Sequence, residues 1–288
     1  MTACSPAYKP LDSELQLAIF ILAVAGGIVH MASGGWTLIN RMTKGHGKSL
    51  SGDNSVLVDC LFLSGILIVH IHVAILALES TPALCRVQSV MLVAGATLIN
   101  ASLCFSAVKA WRVLTIRLRE GCQLQYGALH VCVVQACALA VAAALLVGSS
   151  EPDEAFDGGG GCRKMPAAFG VPLFGLQLGM VALGMYAARR AVAAQTLMND
   201  HLLLALQASL VGLLLLPYVD TLAPATESVP AHAALVLVCA GGAMASLLLT
   251  ATKRVGGGER LSVSAFRLVM SSRLTTLDEK LDYHFTAT

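Results

Sequence analysis

Two oppositely charged side chains, Lys109 and Asp200, stand at the ends of apolar segments and are best placed to form a functional contact. Lys109 closes one segment, and Asp200 follows Asn199 into another. If both ends lie on one side of a membrane, the two side chains can reach each other and form an ion pair. We expect Asn54 and Asn199 to join this pair through hydrogen bonds. Alternatively, Lys109 extends its amine to water and Asp200 caps its own helix.

The nine cysteines divide by their position along the chain. Five lie within apolar segments, where a small buried thiol behaves as an apolar side chain: Cys60, Cys104, Cys132, Cys137 and Cys239. Cys122 lies on the predicted cytoplasmic side. Cys85 and Cys162 share the predicted outer, oxidising side and can be joined there. Cys4 remains on that side, either as a free thiol or paired with another chain.

Patterns typical of catalysis or metal binding are absent from the sequence. His70 and His72 are two residues apart, so on a helix they point in different directions and make a poor metal pair. The glycine run at 158–161 lacks the Lys-Ser/Thr ending of a phosphate loop, and no His-Glu-x-x-His motif occurs. We therefore expect a protein that is not an enzyme and that holds no metal or cofactor.

Seven apolar segments must position these residues, and each is long enough to cross a bilayer. A hydrocarbon core of ~30 Å needs ~20 helical residues at ~1.5 Å each. The segments span residues 15–39, 56–78, 87–110, 127–148, 167–188, 201–219 and 229–252. We predict an all-α, seven-transmembrane helix bundle over residues 15–254. A short outer N-terminus, 1–14, precedes it, and a cytoplasmic tail, 255–288, follows it. We expect neither a removable signal peptide nor a folded binding domain before the first helix.

Charge orients the bundle. The chain is 56% hydrophobic and only 12% charged, which excludes an ordinary soluble domain. Lysines and arginines gather after segments one, three, five and seven, whereas most acidic residues lie at the opposite ends. The positive-inside rule then places the N-terminus outside and the C-terminus in the cytoplasm. The net charge is only +2, and the basic residues are separated from the acidic ones by the membrane instead of forming one continuous basic face. This distribution argues against nucleic-acid binding.

Glycines predict where helices pack closely. Gly175 and Gly179 form a small-xxx-small pair, which allows two helix backbones to approach each other. Other glycines within the apolar segments allow a similar approach: Gly26, Gly27, Gly34, Gly35, Gly241 and Gly242.

The end of segment three carries a family resemblance. It reads Lys-Ala-Trp-Arg-Val from Lys109, about two dozen residues after Cys85. This pattern resembles the third helix of class C G-protein-coupled receptors, most closely the GABA-B branch. The resemblance extends over nearly the whole transmembrane region, to Asn54, Cys162, Asn199-Asp200 and Lys253. It departs from the family at Thr252, which replaces the usual proline. We expect no counterpart of the large ligand-binding domain of class C receptors.

The resemblance implies a receptor of the plasma membrane that passes a conformational change to a heterotrimeric G protein. Lys109 and Asp200 would hold helices three and six together at rest, and Cys85 would bond to Cys162. The implied assembly is a homo- or heterodimer, and membrane lipid is a candidate ligand. Cytoplasmic arginines would face the G protein, although positive-inside topology accounts for them equally well: Arg112, Arg117, Arg119, Arg189 and Arg190.

Two other classes of function compete with the receptor. A transporter or channel would need ionisable side chains deep in the bundle. The interior polar groups are instead mainly amides: Asn100, Gln135, Gln177 and Gln207. A non-signalling scaffold or dimer partner stays open.

Overall fold

The computed structural model describes residues 13–44, 54–78, 82–116, 130–138, 140, 156–157, 161–162, 167–194, 200–222 and 225–256. These residues form seven helices, six of them with long described spans: α1 Ser13–Lys44, α2 Asn54–Leu76, α3 Pro82–Ile116, α5 Ala167–Ala194, α6 Asp200–Leu222 and α7 Ala225–Gly256. The described part of α4 covers 130–138. Residues 1–248 form one compact unit and 249–288 a second. Of the predicted tail, only residues 255 and 256 lie within the described part.

The all-α prediction is confirmed, and five of the helices are long and apolar enough to cross a membrane. Their apolar spans are Ser13–Asn40, Val56–Leu76, Val90–Trp111, Val171–Arg190 and Val229–Ser246. The apolar part of α6 is shorter, at His201–Leu216. Five such helices in one chain identify a multi-pass membrane protein.

Several helices run past the apolar segments that predicted them. The predicted segment 87–110 lies inside the longer helix α3, which covers Pro82–Ile116. Hydropathy marks only the part of a helix that suits hydrocarbon, whereas backbone hydrogen bonding continues into the polar boundary. Pro82 suits the first position of α3, because its missing N–H would have no partner within the helix.

A small strand pair interrupts the region between α4 and α5. Strand β1, Phe156–Asp157, pairs antiparallel with β2, Gly161–Cys162. Phe156 lies opposite Cys162, and Asp157 lies opposite Gly161. The apolar pattern did not predict this hairpin, although the glycine run between the strands is typical of a tight turn.

The backbones of α2 and α3 approach each other closely at a pair of glycines. A Cβ placed on Gly65 would lie 2.8 Å from Leu98 Cβ and 3.0 Å from the backbone oxygen of Gly95. A Cβ on Gly95 would lie 2.6 Å from Val69 Cγ2 and 3.1 Å from the oxygen of Gly65. The two glycines therefore face each other, and neither position has room for a side chain.

Some of the glycines that the sequence analysis named lie at helix contacts, and others do not. Gly34 is buried against Leu63, and a Cβ on Gly26 would lie 3.2 Å from His70 Nε2, so both sit at the predicted helix contacts. Gly175 and Gly179 are exposed and meet nothing within 4 Å in the described chain. The packed pair predicted at these two positions is therefore not found among the described residues. The buried face of α5 follows a different register: Leu173, Gln177, Val181 and Ala188.

Candidate functional site

Lys109 and Asp200, the predicted ion pair, lie at the ends of α3 and α6. Lys109 is half-buried in the last turns of α3, and Asp200 is the first residue of α6. Asn54 begins α2. The side chains of Asp200 and Asn54, and the whole of Asn199, lie outside the described residues. The structure thus describes the backbones of Lys109 and Asp200, whereas the ion pair between their side chains stays a prediction.

A contact among three helices gives a common reference point for the depths of Lys109 and Asp200. Gly184 of α5 is packed against α3 and α6, because a Cβ there would lie 3.2 Å from Cys104 Cα and 3.0 Å from Leu206 Cδ2. If successive helices reverse direction, as the predicted bundle requires, α3 and α6 run antiparallel. Lys109 follows Cys104 by five residues, and Asp200 precedes Leu206 by six. At a rise of ~1.5 Å per residue, Lys109 is about 8 Å from Cys104 and Asp200 about 9 Å from Leu206, toward the same end of the bundle.

Aromatic and cationic side chains tie the same ends of α3 and α5 together. The rings of Trp111 and Tyr186 meet edge to face, with centroids 5.8 Å apart. The Arg190 guanidinium carbon lies 5.3 Å from the centroid of the Tyr186 ring, a cation–π distance. Trp111 therefore has a helix partner in addition to its suitability for the membrane boundary.

The other predicted site residues are only partly described. Arg189 and Arg190 are exposed at the end of α5. The side chain of Arg112, and all of Arg117 and Arg119, lie outside the described residues. Cys85 lies in α3 and Cys162 in β2, but their side chains are also outside the described part, so the disulfide stays a prediction. The five cysteines within the apolar helices are free thiols, but the expected burial holds only for Cys104. Cys60 and Cys239 are half-buried, and Cys132 and Cys137 are exposed.

A buried amide network joins α3 to α5. Asn100 Nδ2 donates to Gln177 Oε1 at 2.8 Å, and Gln177 Nε2 donates to Thr97 Oγ1 at 2.6 Å. The Thr97 hydroxyl donates in turn to the Val93 carbonyl at 2.6 Å. All three side chains are buried, so the hydrogen bonds act in a medium of low dielectric, where each polarises the next. The sequence identified Asn100 and Gln177 as interior amides without pairing them.

Breaking this network should destabilise the bundle in a non-additive way. Gln177→Leu removes two cross-helix hydrogen bonds and is expected to lower the free energy of unfolding by about 1 to 3 kcal/mol. Asn100→Leu removes only one of these hydrogen bonds and should lower the free energy of unfolding by less. The double variant should cost less than the sum, because no amide partner is then left unpaired. Titration of the purified protein with denaturing detergent measures these changes.

Gln207→Leu is the matched control, because Gln207 is a half-buried amide on α6 outside the network. Its effect should stay within about 0.5 kcal/mol. Strictly additive losses for Asn100→Leu and Gln177→Leu would contradict a shared network.

A cavity of about 80 Å³ lies beside the network, between α2, α3, α6 and α7. Its walls are mostly apolar, with polar atoms from Asn100, Ser209 and Cys239. It is smaller than the ~150 Å³ cavity that admits a benzene ring and far below the ~300 Å³ of the smallest usual ligand pockets. In this conformation the cavity suits a small apolar group.

The histidines of α2 contact different helices. The ring of His70 meets His30 of α1 with centroids 4.9 Å apart, and its Nδ1 lies 2.8 Å from the Ile66 carbonyl oxygen. His72 faces His232 of α7. The prediction that His70 and His72 point apart is confirmed. Both rings are buried, and His70 is bonded within its own helix. Within the described part of the chain, no three His, Cys, Asp or Glu side chains form a metal-binding group.

No model of a known protein family matches the chain, and no curated protein matches it in sequence. Receptor function is therefore argued from the chain's own motif and geometry.

Proposed function

We propose that this chain is a seven-span, class C-like receptor of the plasma membrane that passes a conformational change to a heterotrimeric G protein. Its N-terminus lies outside and its C-terminus in the cytoplasm. The observation that supports this proposal most strongly is the packing of Gly184 against both Cys104 of α3 and Leu206 of α6, from which Lys109 and Asp200 are about equally far along their helices. The Lys-x-Trp-Arg-Val element that begins at Lys109 supports it from the sequence.

In the proposed mechanism, the ion pair restrains α6 while α3 and α5 stay together. The contacts from Trp111 through Tyr186 to Arg190 favour α3 and α5 as the fixed unit. Separation of α6 would expose a cytoplasmic surface that includes Arg189 and Arg190. A coupling of ~1 to 3 kcal/mol changes the equilibrium between the two states by ~5 to 150-fold, whereas a complete switch needs ~5.5 kcal/mol. The pair is therefore a bias that lipid, a small molecule or a partner subunit can overcome.

A second candidate function is a non-signalling scaffold or dimer partner. The observation in its favour is the exposed pair Gly175 and Gly179, which meets nothing in the described chain. Small residues at this spacing let a second helix approach closely in a membrane.

Nucleotide exchange separates the two functions. The purified chain in lipid nanodiscs is mixed with purified heterotrimeric G proteins of each Gα class, and binding of a non-hydrolysable GTP analogue is followed over time. We expect faster exchange than with empty nanodiscs for at least one class. Exchange at the rate of empty nanodiscs for every class, by both the native chain and Lys109→Ala, would contradict the receptor and favour the scaffold.

A further inference from the structure

His72 and His232 bring two ring nitrogens together between α2 and α7. Their Nε2 atoms are 3.3 Å apart, and the rings are tilted by 49°. Two imidazole nitrogens that bind one tetrahedral Zn²⁺ at ~2.0 to 2.1 Å must be ~3.3 to 3.4 Å from each other. The separation of the two nitrogens is therefore that of a pair of ligands on one zinc ion.

A backbone contact fixes which nitrogen of His72 carries the proton. Its Nδ1 lies 3.0 Å from the carbonyl oxygen of Gln88. Since a carbonyl oxygen only accepts, Nδ1–H donates, and the neutral ring keeps its lone pair on Nε2, toward His232. Histidines that bind metals are oriented by this kind of bond from the other ring nitrogen to a carbonyl. Without a metal, Nε2–H of His232 can donate to that lone pair. With a metal, His232 binds as the Nδ1–H tautomer.

The pair also sits directly beyond the cavity. His72 lies three residues after Val69 on α2. Gln88 lies four residues before Leu92 on α3, and His232 lies four residues before Val236 on α7. Those three apolar residues line the cavity on α2, α3 and α7. One helical turn, ~5.4 Å, thus separates the histidines from the cavity on all three helices. His72 is also four residues, ~6 Å along the helix, from the end of α2 at Leu76.

We propose that His72 and His232 form a Zn²⁺ site that joins α2 to α7 at the end of the cavity. Imidazole nitrogen selects zinc and neighbouring transition metals over Mg²⁺ and Ca²⁺, which prefer oxygen. The two histidines would fill two of the four tetrahedral positions around the ion. Zinc at this place would hold the two cavity walls at a fixed spacing.

Zinc titration of the full chain tests the site. The protein is purified in detergent, treated with a chelator and titrated with ZnCl₂ against a chromophoric zinc indicator, and its melting temperature is followed in parallel. We expect one ion per chain, a saturable rise in melting temperature, and no rise with MgCl₂. His72→Gln and His232→Gln should each weaken binding by about tenfold or more, since even the loss of a group that only orients a ligand costs ~10 to 100-fold.

His130→Gln is the matched control, because it removes an exposed histidine of α4 and should leave zinc affinity unchanged. His232→Cys supplies a thiolate ligand in place of imidazole and should restore binding that His232→Gln loses. Equal zinc affinity in the native chain and both glutamine variants would overturn the proposal, and so would the absence of any zinc effect on the native chain. Neither measurement involves a G protein, so the site is tested independently of receptor function.

Discussion

Gly65→Val is expected to prevent the bundle from assembling. A valine Cβ would stand 3.0 Å from the backbone oxygen of Gly95 and 2.8 Å from Leu98 Cβ, and two further methyl groups would need space beyond it. Overpacking of a core usually costs about 1 to 3 kcal/mol, because side chains can shift aside. Here a helix backbone blocks the way, so α2 and α3 must separate, and we expect a loss above about 3 kcal/mol. Size-exclusion chromatography of the detergent-solubilised protein measures the folded, monodisperse fraction.

Gly175→Val is the matched control for this substitution. It adds the same side chain to a glycine in a predicted membrane span, but a Cβ there meets nothing within 4 Å. Its effect on stability should stay within about 0.5 kcal/mol. Gly65→Ala adds a second test, since alanine favours a helix by about 1 kcal/mol over glycine and should still destabilise the protein. Equal folded yields for Gly65→Val and Gly175→Val would show that the α2–α3 contact is not obligatory.

Lys109→Ala is expected to raise basal nucleotide exchange on the responsive G protein. Removing the amine would abolish the proposed ion pair and release α6 from α3. A coupling of ~1 to 3 kcal/mol would shift the equilibrium ~5 to 150-fold toward the open state. Asp200→Ala should act in the same direction. The reciprocal exchange, Lys109→Asp with Asp200→Lys, should restore part of the restraint, because the opposite charges would again face each other.

Glu14→Ala is the control for loss of a charge. Glu14 is exposed in the first turn of α1, at the predicted outer end of the bundle, and its removal should leave basal exchange unchanged. If exchange is the same for the native chain, both alanine variants and the reciprocal exchange, the two residues do not restrain the receptor. In that case Lys109 reaching to water and Asp200 capping α6 would account for them.

The helices could be predicted from sequence because length and hydropathy determine which segments suit a bilayer. How each helix is rotated about its axis, and which neighbour it meets, could not be predicted. The apolar residues of a membrane helix surround it on all sides, so no apolar stripe marks the inner face. Gly175 and Gly179 were therefore predicted at a contact that the described residues do not show, and the contact between Gly65 and Gly95 was missed.

For the candidate site, too, the positions of residues along a helix could be predicted from sequence, whereas contacts between helices could not. The Lys-x-Trp-Arg-Val element places Lys109 and Trp111 near the end of α3, where the structure has them. The contact of Trp111 with Tyr186, and that of His72 with His232, join residues far apart in the chain. Such pairs depend on which helices become neighbours, and one sequence carries no direct signal for that.

Helices α1 and α3 differ in how much of each is enclosed by the rest of the molecule. Only 17% of the apolar window of α1 is buried, against 61% of that of α3. On α1, most side chains need only be compatible with hydrocarbon, so leucine, isoleucine, valine and phenylalanine can replace one another at little cost. On α3, shape and hydrogen bonding restrict each position. We therefore expect the first span to tolerate a wider range of apolar substitutions than the third.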